Sequence, residues 1–243
     1  MRAKRVYVLP ILLLYVIGLV SCKDWGEVDP PAGNQQIGEA KETVAEFTFE
    51  TLDMFAMELG TYEGGAKPEL VRDEKFQSNV LHLNGGYIGM DNPLIGKTIE
   101  NGVSVSLWTK MSAGTITRNG GQEEQNETSE VPADSNGALL SFTNDSESFV
   151  IMQDGSVFFR KESIMTGVQG LSDGEWHYWT LSIGGGYISL YADGSKKAES
   201  ELSADAYGSL SVFLTAGASN MYIGYGSTTR PSEMWVEDLK FVN

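Results

Sequence analysis

Apolar positions along this chain come in short runs of four to nine, often alternating with polar ones, and punctuated by Gly, Asn and Asp. Alternation with period two and frequent turn residues predicts strands. The pattern places them near 44–51, 79–83, 86–90, 102–110, 138–144, 148–153, 156–161, 176–183, 186–192, 196–200, 210–214, 220–225 and 233–242. Helical spacing is visible only over Leu52–Leu59, one short stretch. Many strands without alternating helices predict an all-β sandwich or jelly roll of one domain, residues 43–243.

Two hairpins are visible. Phe149–Gln153 and Ser156–Lys161 flank Asp154-Gly155, a strong turn signal. Trp179–Ile183 and Gly186–Leu190 flank Gly184-Gly185. A two-residue turn there pairs Ile183 with Gly186, Leu181 with Ile188 and Trp179 with Leu190. Alternation then puts Trp179, Leu181, Ile188 and Leu190 on one apolar face. Tyr178, Thr180, Ser182, Tyr187, Ser189 and Tyr191 fall on the other. Tyrosines among hydroxyls form a sugar platform, since rings stack on C–H faces and hydroxyls exchange hydrogen bonds. A solvated outer face would look the same. Tyr178, Tyr187 and Tyr191 are therefore the candidate ligand residues.

The N-terminus breaks the strand pattern. Arg2, Lys4 and Arg5 precede an apolar run from Val6 to Val20, then Leu19-Val20-Ser21-Cys22. A basic start, a short apolar core and small residues before a cut predict a secretory signal. The last tetrad resembles the bacterial lipobox, which implies cleavage before Cys22 and diacylation of its thiol. Cys22 is the only cysteine, so no disulfide framework exists. Residues 23–42 then read as a tether. Lys23-Asp24 and Asp29-Pro30-Pro31 resemble the export signal and spacer of Bacteroides-type surface lipoproteins, which implies lipid anchoring in the outer membrane with the domain facing outward. A periplasm-facing lipoprotein is the alternative.

The chain carries 17 basic and 33 acidic residues, a formal charge of −16. Residues 1–21 hold three of the cations and no acid, so processing takes −16 to −19. Such a field disfavours nucleic acid and anionic lipid surfaces. Neutral glycans, cations and cationic protein patches remain compatible partners.

Three segments together resemble the laminin-G-like, concanavalin-A-like jelly roll. They are Leu81-His82-Leu83-Asn84-Gly85-Gly86-Tyr87-Ile88, the strand Val103–Lys110 around Trp108, and Asp173-Gly174-Glu175-Trp176-His177 followed by Ile188–Gly194. Trp235–Phe241 matches the closing strand. The resemblance implies the fold, core roles for Trp108 and Trp176, and a turn at Asp193-Gly194. His177 reads as a packed strand residue, and His82 as isolated and without a partner. The group's structural calcium is held by a last-strand Asp, and Glu237 stands at that position. Alternation in the last strand puts Trp235, Glu237, Leu239 and Phe241 on one face. An unpaired carboxylate among apolar neighbours is costly there. A bound Ca²⁺ would relieve it through oxygen ligands. So would a strand-edge position beside Lys240 or solvent.

Catalytic constellations are sparse. Two histidines and one lipidated cysteine leave little for Ser/His/Asp, Cys/His or zinc chemistry. The glucanases of this fold carry Glu-x-Asp-x-(x)-Glu on one strand, which sets alternate carboxylates on one face. The one Glu-x-Asp here is Glu27-Val28-Asp29, in the tether. Glu233 and Glu237 share a strand face but lack the middle Asp. The reading is a non-catalytic carbohydrate-binding lipoprotein that helps capture polysaccharide, together with protein partners of a glycan-uptake system. The alternatives are a protein-binding or adhesion module, in which the polar 115–137 loop acts, and a glycoside hydrolase.

Overall fold

A computed structural model describes residues 42–52, 58–99, 102–112, 137–226 and 230–243. The signal, Cys22, the tether and nearly all of the 115–137 loop lie outside the described residues. The strands, in chain order, are β1 (Thr43–Phe47), β2 (Glu58–Thr61), β3 (Glu69–Arg72), β4 (Asn79–Leu83) and β5 (Gly86–Asp91). Then come β6 (Val103–Met111), β7 (Ala138–Thr143), β8 (Ser148–Met152), β9 (Val157–Phe159) and β10 (Glu162–Met165). The rest are β11 (Trp176–Gly184), β12 (Tyr187–Ala192), β13 (Ser195–Glu201), β14 (Asn220–Ile223) and β15 (Met234–Val242).

They form two antiparallel sheets. One has eight strands in the order β13-β12-β11-β6-β15-β4-β3, with β1 paired to β15. The other has seven, ordered β10-β9-β8-β7-β14-β5-β2. The chain crosses between the sheets over β4-β5-β6-β7 and again over β13-β14-β15, while β7–β10 and β11–β13 each run as a meander within one sheet. Between the sheets lie Trp179, Phe142, Phe149, Phe241, Leu81, Leu181, Ile188 and Leu190, all nearly inaccessible. Phe142 meets Phe241 across the layers edge to face, centroids 6.1 Å apart. Each such side chain contributes about 1.5–3 kcal/mol on burial, so the interlayer core dominates stability.

Most predicted strands are present, and the deviations have physical causes. The 210–214 segment is not a strand. Ser203 caps a helix, α1 (Ala204–Val212), by accepting from the Ala206 N–H. A π-turn, Phe213–Gly217, continues it. Asn92 donates its amide to the carbonyls of Leu214 and Ala218, which satisfies the wound end. The buried Leu210, Phe213 and Leu214, spaced i, i+3 and i+4, serve a helical end of the core instead of a pleat. Of the predicted 52–59 helix, Glu58 and Leu59 belong to β2, and residues 53–57 lie outside the described residues. The 156–161 strand ends at Phe159. Arg160 and Lys161 both adopt left-handed φ, 53° and 70°, and turn the chain into β10 without any glycine.

The register of the β11–β12 hairpin also differs. Gly185 and Gly186 form the turn, φ 60° and 83°, so Gly184 pairs with Tyr187. Leu181 consequently faces Leu190, and Ile183 faces Ile188. Three consecutive glycines permit either turn. The observed one matches apolar partners across both strands, which the alternative does less well. The shift is one residue on each strand, so the predicted faces survive. The Asp154-Gly155 turn is a three-residue loop closed by Met152 N–H to Ser156 O, 2.9 Å. Asp193-Gly194 is the expected tight turn, with both φ positive.

Candidate functional site

The outer face of the seven-stranded sheet carries a patch that sequence reading missed. Tyr87 on β5, Tyr222 on β14, and Tyr62 and Tyr225 just beyond strand ends form one cluster. Tyr87 and Tyr225 lie 4.6 Å apart between centroids, Tyr222 and Tyr225 5.1 Å, and Tyr62 and Tyr225 5.9 Å. Tyr87 also meets Tyr62 and Tyr222 at 6.0 and 6.2 Å. Tyr225 is exposed and the others half-buried.

Glycines set the shape of the patch. β2 pairs Gly60 with Tyr87, and β14 pairs Tyr222 with Gly89. A Cβ on Gly60 would stand 2.0 Å from the Tyr87 ring. One on Gly89 would stand 2.6 Å from the Tyr222 ring. The Tyr87 ring therefore leans over Gly60 and the Tyr222 ring over Gly89, with the two ring planes 70° apart. Rings in mutual contact leave no gap for a cation between them, so this is a stacking platform and not a cage.

Glu58, on β2, faces the platform, and the Tyr87 hydroxyl donates to its Oε1 at 3.1 Å. Burial, with Tyr225 beside it, pushes the Tyr62 phenol up to about 12. Burial and then the Glu58 bond also raise Tyr87, and burial with the charge of Glu58 raises Tyr222. These hydroxyls stay protonated across the physiological range and act as donors. The cluster could not be found by counting along the chain, because its four rings come from three separated segments. The only local signal was Tyr222-Ile223-Gly224-Tyr225, with Tyr87 inside a fold motif.

The sequence-predicted ligand residues lie on the opposite surface. Tyr178, Tyr187 and Tyr191 face outward from the eight-stranded sheet, as expected, and are half-buried. The Tyr178 ring packs on Trp108 at 5.1 Å. Lys196 stands 5.9 Å from the Tyr191 ring. Among the described residues, no ring contact joins the three tyrosines to one another.

Trp108 and Trp176 are not core residues. They share that outer face, where Phe76 wedges against both at 5.6 and 4.8 Å. The Trp176 indole N–H reaches Asp73 Oδ2 at 3.3 Å, and Lys75 sits 3.8 Å from the centre of the Trp108 ring. The interlayer tryptophan is Trp179, 1% exposed.

His82 has partners after all. Its Nδ1 is 2.9 Å from Glu69 Oε1, its Nε2 is 2.8 Å from Glu233 Oε1, and it stacks on Trp235 at 4.8 Å. His177 is held in the same manner, Nε2 to Asp173 Oδ1 at 3.0 Å and Nδ1 to Asp193 Oδ2 at 2.7 Å. Burial works against its charge, but the hydrogen bonds to Asp193 and Asp173 outweigh it and the net shift is upward.

Glu237 does not share a face with Leu239 and Phe241. The register of β15 against β6 shifts between Glu237 and Lys240, and Asp238 takes φ 51°. This bulge reverses the alternation, so Leu239 and Phe241 enter the core while Trp235 and Glu237 face outward. Glu237 is still only 7% exposed, opposite Trp108 in the ladder. The Ser78 hydroxyl donates to its Oε1 at 3.4 Å, the Phe49 backbone N–H also bonds the carboxyl, and Oε2 is without a partner among the described residues. Burial drives this carboxyl up to about 7, with Asp238 and Glu50 adding to the effect. Among the described residues, no group of three His, Cys, Asp or Glu is arranged to hold a metal ion, here or elsewhere. A buried acid whose proton is favoured by burial, and whose hydrogen-bond partners are the donors Ser78 Oγ and the Phe49 backbone N–H, does not fit a calcium site.

At the level of sequence, no family model and no curated protein matches the chain. Solved structures do. Domain 4 of AbnA, a GH43 extracellular arabinanase from Geobacillus stearothermophilus, in complex with arabinotriose, superposes with TM-score 0.56 at 13% identity. The match covers 84% of this chain and 94% of that one. The T. cruzi calreticulin globular domain matches with TM-score 0.51 at 12% identity, over 82% of this chain and 87% of that one. Mouse laminin α1 domains LG4–5 align at 18% identity and TM-score 0.37, over 58% of this chain and 36% of theirs. At these identities the first two likenesses establish the jelly-roll fold and nothing finer.

Proposed function

We propose that this chain is a non-catalytic carbohydrate-binding lipoprotein, displayed at the outer membrane through Cys22, whose ligand surface is the tyrosine platform of the seven-stranded sheet. The observation that carries this is four contacting tyrosine rings, two of them packed over Gly60 and Gly89, with the Glu58 carboxylate beside them. Aromatic rings offer stacking surface to sugar C–H faces, and protonated phenols and a carboxylate exchange hydrogen bonds with sugar hydroxyls. The similar AbnA domain was solved with arabinotriose, and an oligosaccharide suits a surface of this kind.

The denial of catalysis rests on spacing. Glu237 on β15 and Glu233, one residue before its start, stand four residues apart along extended chain, so about 13 Å separates their Cα positions at about 3.3 Å per residue. Retaining and inverting pairs need carboxyls about 5–9.5 Å apart. Glu233 is moreover engaged by His82 and by the Ser112 hydroxyl.

A glycan array on the intact chain, followed by titration calorimetry on the best hit, tests the reading. Tyr87→Ala and Tyr222→Ala should each weaken binding about ten-fold, the loss of one good stacking contact. Tyr178→Ala and Tyr191→Ala should leave it unchanged. The reverse pattern would move the site to the hairpin predicted from sequence. Release of reducing ends from the bound glycan would overturn the non-catalytic assignment.

A further inference from the structure

The charge of the platform's sheet narrows its ligand further. The seven strands β2, β5, β7, β8, β9, β10 and β14 contain no Lys and no Arg. They do contain Glu58, Asp91 and Glu162. Glu58 pairs with Gly89 across β2–β5, and Asp91 lies two residues further along β5, so both carboxylates share the platform's outward face. The eight-stranded sheet is different, with Arg72, Lys110, Lys196, Lys197 and Lys240 in its strands.

Of the cations flanking these strands, Arg160 and Lys161 lie between β9 and β10, at the sheet edge opposite β5 and β2. Arg160 pairs with Glu147, Nε to Oε1 at 2.8 Å. Arg230 donates to the Gly64 carbonyl at 3.1 Å and to Asn84 O and Oδ1 at 3.3 and 2.9 Å, holding two turns together.

We infer that the platform selects uncharged glycan chains and discriminates against glycans bearing carboxylate or sulfate, with Glu58 as its specificity-determining residue. This inference rests on the platform reading above. A uronate stacked on Tyr87 or Tyr222 would bring its carboxylate near Glu58 and Asp91 with no described cation on the sheet to receive it. A neutral sugar instead presents hydroxyls, which donate to Glu58 and accept from phenols. Like-charge juxtaposition is a common device for excluding the wrong partner.

The test uses the intact chain and matched polysaccharide pairs, each a uronate polymer and its carboxyl-reduced neutral counterpart, at about 20 mM and about 0.5 M salt. The neutral partner should bind on the order of ten-fold more tightly at low salt, and the gap should narrow at high salt as the repulsion is screened. Glu58→Gln should narrow it at low salt without abolishing neutral binding. Equal or tighter uronate binding, lost on Tyr87→Ala, would overturn the selectivity while leaving the platform intact. Binding of both polymers that ignores Tyr87→Ala and Tyr222→Ala, or of neither polymer in any pair, would overturn the platform and the selectivity with it.

Discussion

Two titrating side chains, Glu237 and His177, tie stability to pH, and both act in the same direction. The folded state holds the Glu237 proton up to about pH 7, chiefly through burial, whereas an unfolded glutamate releases it near 4.5. The folded protein therefore binds more protons between those values, and stability falls as pH rises through that window. The loss is at most about 3 kcal/mol by the linkage relation, since one pKa unit is about 1.4 kcal/mol. His177 is raised by its bonds to Asp193 and Asp173 against burial. Its contribution is complete below the ordinary histidine value and disappears as pH rises through the folded one. Thermal midpoints should thus decline from about pH 5 to about pH 8. Glu237→Gln should flatten the decline and raise the midpoint at pH 8. His177→Asn should lower the midpoint at pH 5 more than at pH 8. A midpoint that climbs steadily across this range in the wild type would contradict both assignments. Neither partner set was legible in the sequence. His82 gains Glu69 and Glu233, and His177 gains Asp193 from a distant turn beside its near neighbour Asp173, while Glu237 is buried by a loop containing Ser78 that no local pattern announces.

At the scale of elements, alternation located twelve of the fifteen strands, because each sheet has one dry face and the period-two pattern reports it, and missed β2, β3 and β10, which are four-residue edge strands too short to show a period. What alternation could not report were events that break it. The Asp238 bulge reverses the faces within β15. The Arg160-Lys161 turn lacks the glycine that normally marks a left-handed pair. The 204–217 segment winds into a helix because Ser203 and Asn92 satisfy its ends. The candidate site was less legible than the fold for a related reason. Adjacency between β2, β5 and β14 is a product of topology, and two of the decisive residues, Gly60 and Gly89, act by having no side chain. Gly60→Ala and Gly89→Ala therefore test the platform without removing any ring. Neither glycine has a positive φ, so alanine is allowed by the backbone, and restricting the unfolded chain would even favour folding by about 0.4–1 kcal/mol. The added Cβ must displace the far side of Tyr87 or Tyr222. The expected outcome is a melting midpoint shifted by no more than a few degrees and a loss of glycan affinity about as large as that of the tyrosine variants. Full affinity in both alanine variants would mean that the packing of these rings over glycine is not what the ligand reads.

For the whole molecule, the anchor and the platform make sense together. An open face of contacting tyrosines is suited to modest affinity for one sugar segment. Polysaccharides repeat their segments, and copies held on one surface raise the effective concentration for each further contact, so retention can exceed single-site affinity by about 10²–10⁴. Lipidation of Cys22 would supply that arrangement, since acyl chains contribute about 0.8 kcal/mol per buried CH₂ and two or more give a lasting attachment. Cys22→Ser is the discriminating variant. It leaves every described residue untouched, so the isolated protein should bind a soluble oligosaccharide as the wild type does. In cells, the protein should leave the membrane fraction, and the cells should lose most of their retention of a long neutral polysaccharide. Oligosaccharides too short to bridge two copies should show no such difference. If the variant stays in the membrane fraction, the lipobox reading fails. If it leaves the membrane and polysaccharide retention persists, capture does not depend on display, and the platform works as a free binding module.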